Sequence, residues 1–290
     1  MDVIIGSNSL IGQSLVQLLK KRKLIKNFLF FSKSNKNINN YYKLDLDKNV
    51  NILKNLDIDN CYFFSSPKYI KKNFSRKVYE RELFWIKNVV KNCKIKKMIY
   101  LSSSTIYQKN HFIGINKLKA EKHLIKNKLK FKYLQIWRPF NLIGSNQTQL
   151  TDHFHNYLFK VIFLEKRKFV LFNGNESDKR GYSSIDEFVK ILQKYSSKNK
   201  SFINNFGNPN LISVKDIISI YNRVSNKKLG FELNHKFKSK KFNINSVKNL
   251  NKRNTIYSKT KSEHVIEHFL KGMLRNFITK SKKISGKRLF

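Results

Sequence analysis

The sequence predicts an α/β fold, a doubly wound parallel sheet with helices on both faces and a smaller, partly interleaved C-terminal region. Two observations predict it. Short apolar runs alternate with amphipathic helical stretches, and the first apolar run leads directly into a turn bracketed by glycines that opens a helix, MDVIIGSNSLIGQSLV over residues 1–16. The runs Val3 to Ile5, Phe28 to Phe31, Cys61 to Phe64, Lys97 to Leu101 and Tyr133 to Trp137 suit strands buried on both faces of a parallel sheet. Between them, Ile11, Leu15, Leu18 and Leu19 fall on one helical face, and Phe84, Ile86, Val89 and Val90 form a second apolar helical stretch. Strands alternating with helices in this order require right-handed crossovers and place a ligand crevice at the carboxyl ends of the strands.

The turn has the spacing G-x-x-S-x-x-G, from Gly6 through Ser9 to Gly12. A tight turn favours a missing side chain at Gly6, and close helix-to-strand packing favours one at Gly12. Backbone N–H groups at the start of the new helix, at Ser9, Leu10, Ile11 and Gly12, then face a pyrophosphate. Ser9 stands where a second glycine commonly lets the phosphate approach.

Composition bounds the answer without identifying it. The chain has 290 residues, 40% of them hydrophobic, enough for a sizeable core in one large or two intimately joined domains. Sixty Lys and Arg against 18 Asp and Glu give a formal charge of +42, which predicts attraction to anionic partners in general. The lysines are spread over every segment rather than gathered on one stripe, and Lys, Asn, Ile, Phe and Tyr are the residues that A/T-rich codons favour. The charge therefore predicts no specific nucleic-acid site, although a basic nucleic-acid-binding protein stays as an alternative. Cys61 and Cys93 fit neither a disulfide framework nor a metal-ligand spacing, so reduced thiols and no metal are expected. No apolar run approaches the roughly 20 residues of a membrane helix, and Asp2 with no basic leader argues against a signal peptide. A cytoplasmic protein is expected, with weak association to an anionic membrane surface allowed on charge alone.

Further segments carry a specific resemblance: MIYLSSSTIY at 98–107, GINKLKAE at 114–121, WRPFNLIGSN at 137–146, KRGYSSIDEF at 179–188, and ISVKDIISIYNRV at 212–224 after Asn205-Phe206-Gly207. In this order, together with the glycine turn, Asp45 in YKLDLD and the pair Ser65-Ser66, the sequence resembles the extended short-chain dehydrogenase/reductase family, the nucleotide-sugar epimerases, dehydratases and reductases. The resemblance covers nearly the whole chain. It implies a Rossmann core over 1–145, a smaller substrate-binding region interleaved with late Rossmann elements over 146–279, and a basic tail over 280–290.

The resemblance also implies roles, residue by residue. Ser103, four residues before Tyr107, is similar to the hydroxyl that polarises the substrate oxygen. Lys117 matches the lysine of the family's Tyr-x-x-x-Lys pair, which holds the nicotinamide ribose and lowers the pKa of the tyrosine that moves the proton. Four residues earlier, however, stands Ile113, which moves no proton. His111 or Ser103 acting instead, a reaction needing little proton assistance, and a protein that binds without turnover all stay open. Asp45, with the adjoining Leu46, resembles the adenine contact, and Ser65 lies in the small-residue pair expected beside the cofactor. At the end of the second strand-like run, Ser32, Lys33, Ser34 and Lys36 stand where an NAD enzyme usually carries an acid, which favours NADP, with NAD the alternative. Asn141 and Arg180 match the substrate side, an arginine there suiting bidentate contact with a diphosphate. The expected partner is a nucleoside-diphosphate sugar, and a homodimer is left open. The function implied is hydride transfer at a sugar carbon, in the service of surface polysaccharide such as O-antigen or capsule; the alternative, suggested by Ile113, is a catalytically silent dinucleotide-binding protein of the same fold.

Overall fold

The computed structural model describes residues 1–33, 40–67, 76–108, 111–144, 154–161, 165, 169–173, 179–226, 228–234 and 252–285. Ser34 and Lys36, singled out above, lie outside them, as do residues 145–146 of the quoted 137–146 segment and residues 286–290 of the basic C-terminus. In chain order the elements begin β1 (Asp2–Ile5), α1 (Leu10–Lys21), β2 (Phe28–Ser32), β3 (Tyr41–Lys43), β4 (Asp57–Phe63), α2 (Arg76–Asn92), β5 (Lys94–Leu101), α3 (Phe112–Lys126) and β6 (Tyr133–Pro139). They continue β7 (Leu142–Ile143), α4 (Phe154–Phe159), β8 (Phe169–Asn173), β9 (Lys179–Arg180), β10 (Ser183–Ser184), α5 (Ile185–Ser196), β11 (Phe202–Gly207), β12 (Ile212–Ser213), α6 (Val214–Ser225), β13 (Gly230–Asn234), β14 (Thr255–Tyr257) and α7 (Ser262–Ser285).

The chain divides into two compact units. The first comprises Met1–Pro139, Asp186–Phe206 and Asn251–Ile256. Its eight-stranded sheet has the order β14-β11-β6-β5-β4-β1-β2-β3 and is parallel at each pairing from β11 across to β3. β1 pairs β2 on one side and β4 on the other, with Ile5 opposite both Phe31 and Phe63. The strand order reverses at this point, so the exits of β1 and β4 flank the position where doubly wound sheets hold ligands.

The core of this unit is built from strand residues such as Val3, Ile5, Phe31, Cys61, Phe63 and Met98, closed by Ile86, Val89 and Val90 of α2 and Ala120 and Leu124 of α3. Phe84 lies in the expected helix but is 47% exposed, because the inward stripe of α2 runs through residues 82, 86, 89 and 90 and Phe84 projects from another face. At the end of α5, whose last carbonyls have no helical partner, Lys97 Nζ donates to Ser196 O at 2.6 Å and Gln135 Nε2 donates to the carbonyls of Tyr195, Lys198 and Lys200. Cys61 and Cys93 are free thiols, and burial pushes Cys93 up to about 11.

The second unit comprises Phe140–Ile185, Gly207–Leu250 and Tyr257–Phe290. Three two-stranded pairs, β7 with β10, β8 with β13 and β9 with β12, accompany α6 and α7, whose packed faces contribute Ile217, Ile218, Tyr221, Ile266, Phe269 and Leu270 to a separate core. A capping box starts α6: Ser213 Oγ accepts from Asp216 N–H at 3.2 Å, and Asp216 Oδ2 accepts from Ser213 N–H at 2.8 Å. The stretch expected as a tail from residue 280 instead continues α7 to Ser285, consistent with the helix-forming tendency of its lysines. Among the described residues no helix is long and apolar enough to cross a membrane.

Candidate functional site

The turn after β1 is built as the spacing requires. Gly6 has φ +91°, and a Cβ there would stand 2.7 Å from Ser65 N, so the exit of β1 lies directly against the exit of β4. A Cβ on Gly12 would collide with Gly6 O and stand 2.9 Å from Ser7 Cα, so this glycine lets α1 lie against the turn. Ser9 is the N-cap of α1, its Oγ accepting from Gly12 N–H at 3.1 Å. Its role is therefore to cap the helix, while Leu10 and Ile11, the first two helical residues, keep N–H groups that helix geometry leaves without a partner. Those donors and the helix dipole fit a pyrophosphate.

At the end of β2, Ser32 is buried, its Oγ accepting from Asn8 Nδ2 at 2.9 Å. Lys33 projects outward, its side chain 78% exposed, with Nζ 3.4 Å from Asp45 Oδ2. Asp45 accepts from the Asp47 N–H, and that bond, aided by Lys33, holds its carboxyl below the usual carboxylate range. Leu46 is a core residue, leaving only its main chain to meet a ligand.

Lys117, on α3, is buried. Its Nζ donates to Glu82 Oε1 at 2.6 Å and to Leu101 O at 2.9 Å, and lies 5.2 Å from the centre of the Tyr100 ring. Glu82, on α2 and 2% exposed, also accepts from Tyr100 OH at 2.8 Å and from Ser66 Oγ at 3.0 Å. Burial and this carboxylate push the Tyr100 phenol well above its ordinary value, so it stays a proton donor to Glu82. Glu82 lies outside every motif of the sequence. A signal was present: an acid on the apolar stripe of α2, in a chain poor in acids, needs a buried partner.

Ser103 follows β5 and caps the short 3-10 turn Ser104–Tyr107, its Oγ accepting from Thr105 N–H at 3.2 Å and from Thr105 Oγ1 at 3.0 Å. Both bonds use the oxygen as acceptor and leave the Ser103 hydrogen free to be donated elsewhere. Ile113 is partly buried at the second position of α3, one helical turn before Lys117. His111 is the N-cap of that helix, Nδ1 accepting from Gly114 N–H at 3.3 Å, and burial lowers its pKa. This is a capping role and favours the neutral ring. Tyr107 OH donates to Asn205 Oδ1 at 2.7 Å and accepts from Arg138 Nη1 at 2.9 Å; Arg138 in turn pairs with buried Glu121 at 2.5 Å. Glu121 also accepts from Ser102 Oγ, next to Ser103.

Gly6, Ser65 and Ser103 thus follow β1, β4 and β5, three neighbouring strands, at the same edge of the sheet. Asn141 and Arg180 belong to the second unit. Asn141 takes a positive φ of 36° and donates from Nδ2 to Gly181 O at 3.1 Å. Arg180 is exposed on β9, and its charge partly offsets the rise that burial gives the Tyr182 phenol. Gly181, which follows it, has no room for a side chain: a Cβ would collide with the carbonyl oxygen of Asn208, a buried residue whose Nδ2 donates to Tyr182 O and Thr260 O, each at 2.6 Å. That contact accounts for a glycine at this position.

No family model matches the sequence, and no curated protein does. Solved structures do. A structure of MoeE5 in complex with UDP-glucose and NAD superposes with TM-score 0.74 at 17% identity, covering 96% of this chain and 100% of that one. An NAD-dependent NDP-hexosamine 5,6-dehydratase, TunA, gives 0.75 at 16% identity, covering 94% and 97%. The UDP-glucuronic acid 4-epimerase from Bacillus cereus, bound to UDP-glucuronic acid and NAD, gives 0.71 at 17% identity, covering 95% and 99%. The chain has the fold of nucleotide-sugar epimerases and dehydratases. In this Rossmann-like fold the glycine turn follows the first strand, as the sequence predicts.

Proposed function

We propose that the chain is a cytoplasmic NADP-preferring member of the nucleotide-sugar epimerase, dehydratase and reductase group, with NAD as the alternative cofactor. Its reaction is hydride transfer at a carbon of a nucleoside-diphosphate sugar, the product serving surface polysaccharide such as O-antigen or capsule. One observation carries the reading: the glycine turn, Ser65 and Ser103 follow neighbouring strands of one sheet at one edge, with the Lys117 ammonium bonded to the carbonyl of Leu101 at the end of β5. The bound dinucleotide supplies or accepts the hydride.

The chain's own groups divide the remaining work. The free N–H groups of Leu10 and Ile11 hold the pyrophosphate. Lys117 has three N–H bonds, two of them directed to Glu82 and Leu101, and the third is available to a ribose hydroxyl. Ser103 donates its hydroxyl hydrogen to the sugar oxygen that gains charge. Ile113 transfers no proton, and with His111 acting as a helix cap, Ser103 is the side chain left to assist. Asn141 and Arg180 are assigned to the sugar nucleotide, Arg180 to its diphosphate.

Ile113 favours a second reading, a protein of this fold that binds dinucleotide without turnover. Mass spectrometry of ligands retained by gently purified protein, followed by hydride-transfer assays on a panel of UDP-, GDP- and dTDP-sugars, separates the two. A retained dinucleotide with turnover on one sugar supports the enzyme. Retained dinucleotide with no turnover on any sugar that binds supports the silent protein, and failure to bind any dinucleotide overturns both.

A further inference from the structure

The second unit and the surface of the first carry charge in abundance; among the described ion pairs, Glu82 with Lys117 has both partners buried, whereas Arg138 beside Glu121 keeps 18% of its side chain exposed. Glu82 is 2% exposed and Lys117 6%, and the carboxylate receives the ammonium at 2.6 Å, the Tyr100 hydroxyl at 2.8 Å and the Ser66 hydroxyl at 3.0 Å. Three donors satisfy the oxygens of this carboxylate, and its formal charge lies against that of Lys117. The pair is electrically neutral, so Lys117 presents its third N–H as an aimed hydrogen bond rather than as a net charge.

Neutrality matters for a dinucleotide because its two redox forms differ in charge. Oxidised nicotinamide carries a positive charge and reduced nicotinamide none. A lone buried ammonium next to the ribose would repel the oxidised ring, and little solvent intervenes to screen it. We propose that Glu82 is a positioning residue that sets the balance between oxidised and reduced cofactor through Lys117, so that α2 fixes the redox preference of the bound dinucleotide. The inference rests on the assignment of Lys117 to the nicotinamide ribose made above.

Affinities of the oxidised and reduced dinucleotide, measured by calorimetry and fluorescence titration on the full chain, test it. Glu82→Gln keeps the size and the acceptor oxygen while removing the charge. It is expected to raise the ratio of the oxidised to the reduced Kd by about tenfold, the scale of one uncompensated charge several ångströms away at a protein-like dielectric. Glu82→Asp, which retains the charge, should bring the ratio most of the way back. Lys117→Met leaves the opposite charge uncompensated and should shift the ratio toward the oxidised form, which keeps the inference testable even if Glu82→Gln does not fold. A merely structural Glu82 would weaken both forms equally. An unchanged ratio in Glu82→Gln, or a shift of the same sign in Lys117→Met, overturns the inference while leaving the cofactor assignment standing; a wild-type chain that binds neither form removes the cofactor assignment, and the inference falls with it.

Discussion

Gly114 lies so close to Thr105 that a Cβ built on it would collide with the Thr105 carbonyl oxygen and stand 3.1 Å from the Ile106 nitrogen. The first turn of α3, which carries Ile113 and leads into the turn of Lys117, is thereby pressed onto the turn that Ser103 caps. Gly114→Ala is expected to destabilise the chain by about 1–3 kcal/mol, because backbone on both sides has to give. Thermal unfolding measures this, and dinucleotide affinity should fall with it, since α3 must shift. An unchanged melting temperature would mean the two turns are not pressed together.

The exit of β2 carries no acid, and Lys33 projects from it with its side chain 78% exposed. NADPH is expected to bind severalfold or more tightly than NADH, one charge-assisted hydrogen bond being worth about 1.5–3 kcal/mol. Lys33→Ala should remove most of the difference, although Asp45 at 3.4 Å draws on the same charge. Fluorescence titration of both cofactors is decisive, and equal affinities in the wild type would assign the site to NAD.

Arg180→Ala should weaken binding of the preferred nucleotide sugar, by the same order of about 1.5–3 kcal/mol for one charge-assisted contact, and leave dinucleotide affinity nearly unchanged. Calorimetry with the sugar panel reads both. A variant that binds sugar nucleotide as well as wild type would make Arg180 an ordinary surface charge.

Stability of the second unit should depend on Asp216 in acid. The Ser213 N–H and hydroxyl hold its carboxyl below the usual carboxylate range. A depressed folded-state value contributes stability that is present above the unfolded value of about 4 and is lost as pH falls through the folded one. Ser213→Ala should cost about 0.5–2 kcal/mol at neutral pH through loss of the cap, and should flatten this acid limb. Urea unfolding across a pH series tests it; an acid limb as steep as that of the wild type would place the sensitivity elsewhere.

The sheet was legible because its signals are local. Five apolar runs, a glycine-bracketed turn and an amphipathic first helix each follow from short-range pattern, and each lies on the strand or helix expected. β3, three residues with the burial of an edge strand, leaves no apolar run to read. Ser9 and His111 were legible as residues of interest but not as caps, since capping depends on where a helix starts to within one residue. Glu82 was hidden for a different reason. Its partner lies 35 residues away on another helix, and only the packing of α2 on α3 brings the two charges together.

Ile113 is the sharpest departure from the chemistry assigned to this site, and its replacement tests whether the chain is an enzyme. It stands one helical turn before Lys117, and residues four apart share a helix face, so a phenol introduced there would lie beside the ammonium's turn. The side chain it replaces is partly buried rather than sealed in the core, which leaves room for a ring to project outward. Proton assistance typically contributes about 10²–10⁴-fold, so a chain that retains Ser103 and Lys117 without a phenol is expected to be slow rather than inert. Ile113→Tyr should therefore raise turnover on the native nucleotide sugar by at least about tenfold, a fraction of that range. Ser103→Ala should abolish turnover in both backgrounds while dinucleotide binding persists, because the proposed role of Ser103 is on the sugar oxygen and not on the cofactor. Steady-state turnover of the four proteins, wild type, each single variant and the double variant, supplies the comparison. If wild type transfers no hydride on any sugar nucleotide it binds, and Ile113→Tyr with an unaltered melting temperature transfers none either, the silent dinucleotide-binding protein is the reading that stands.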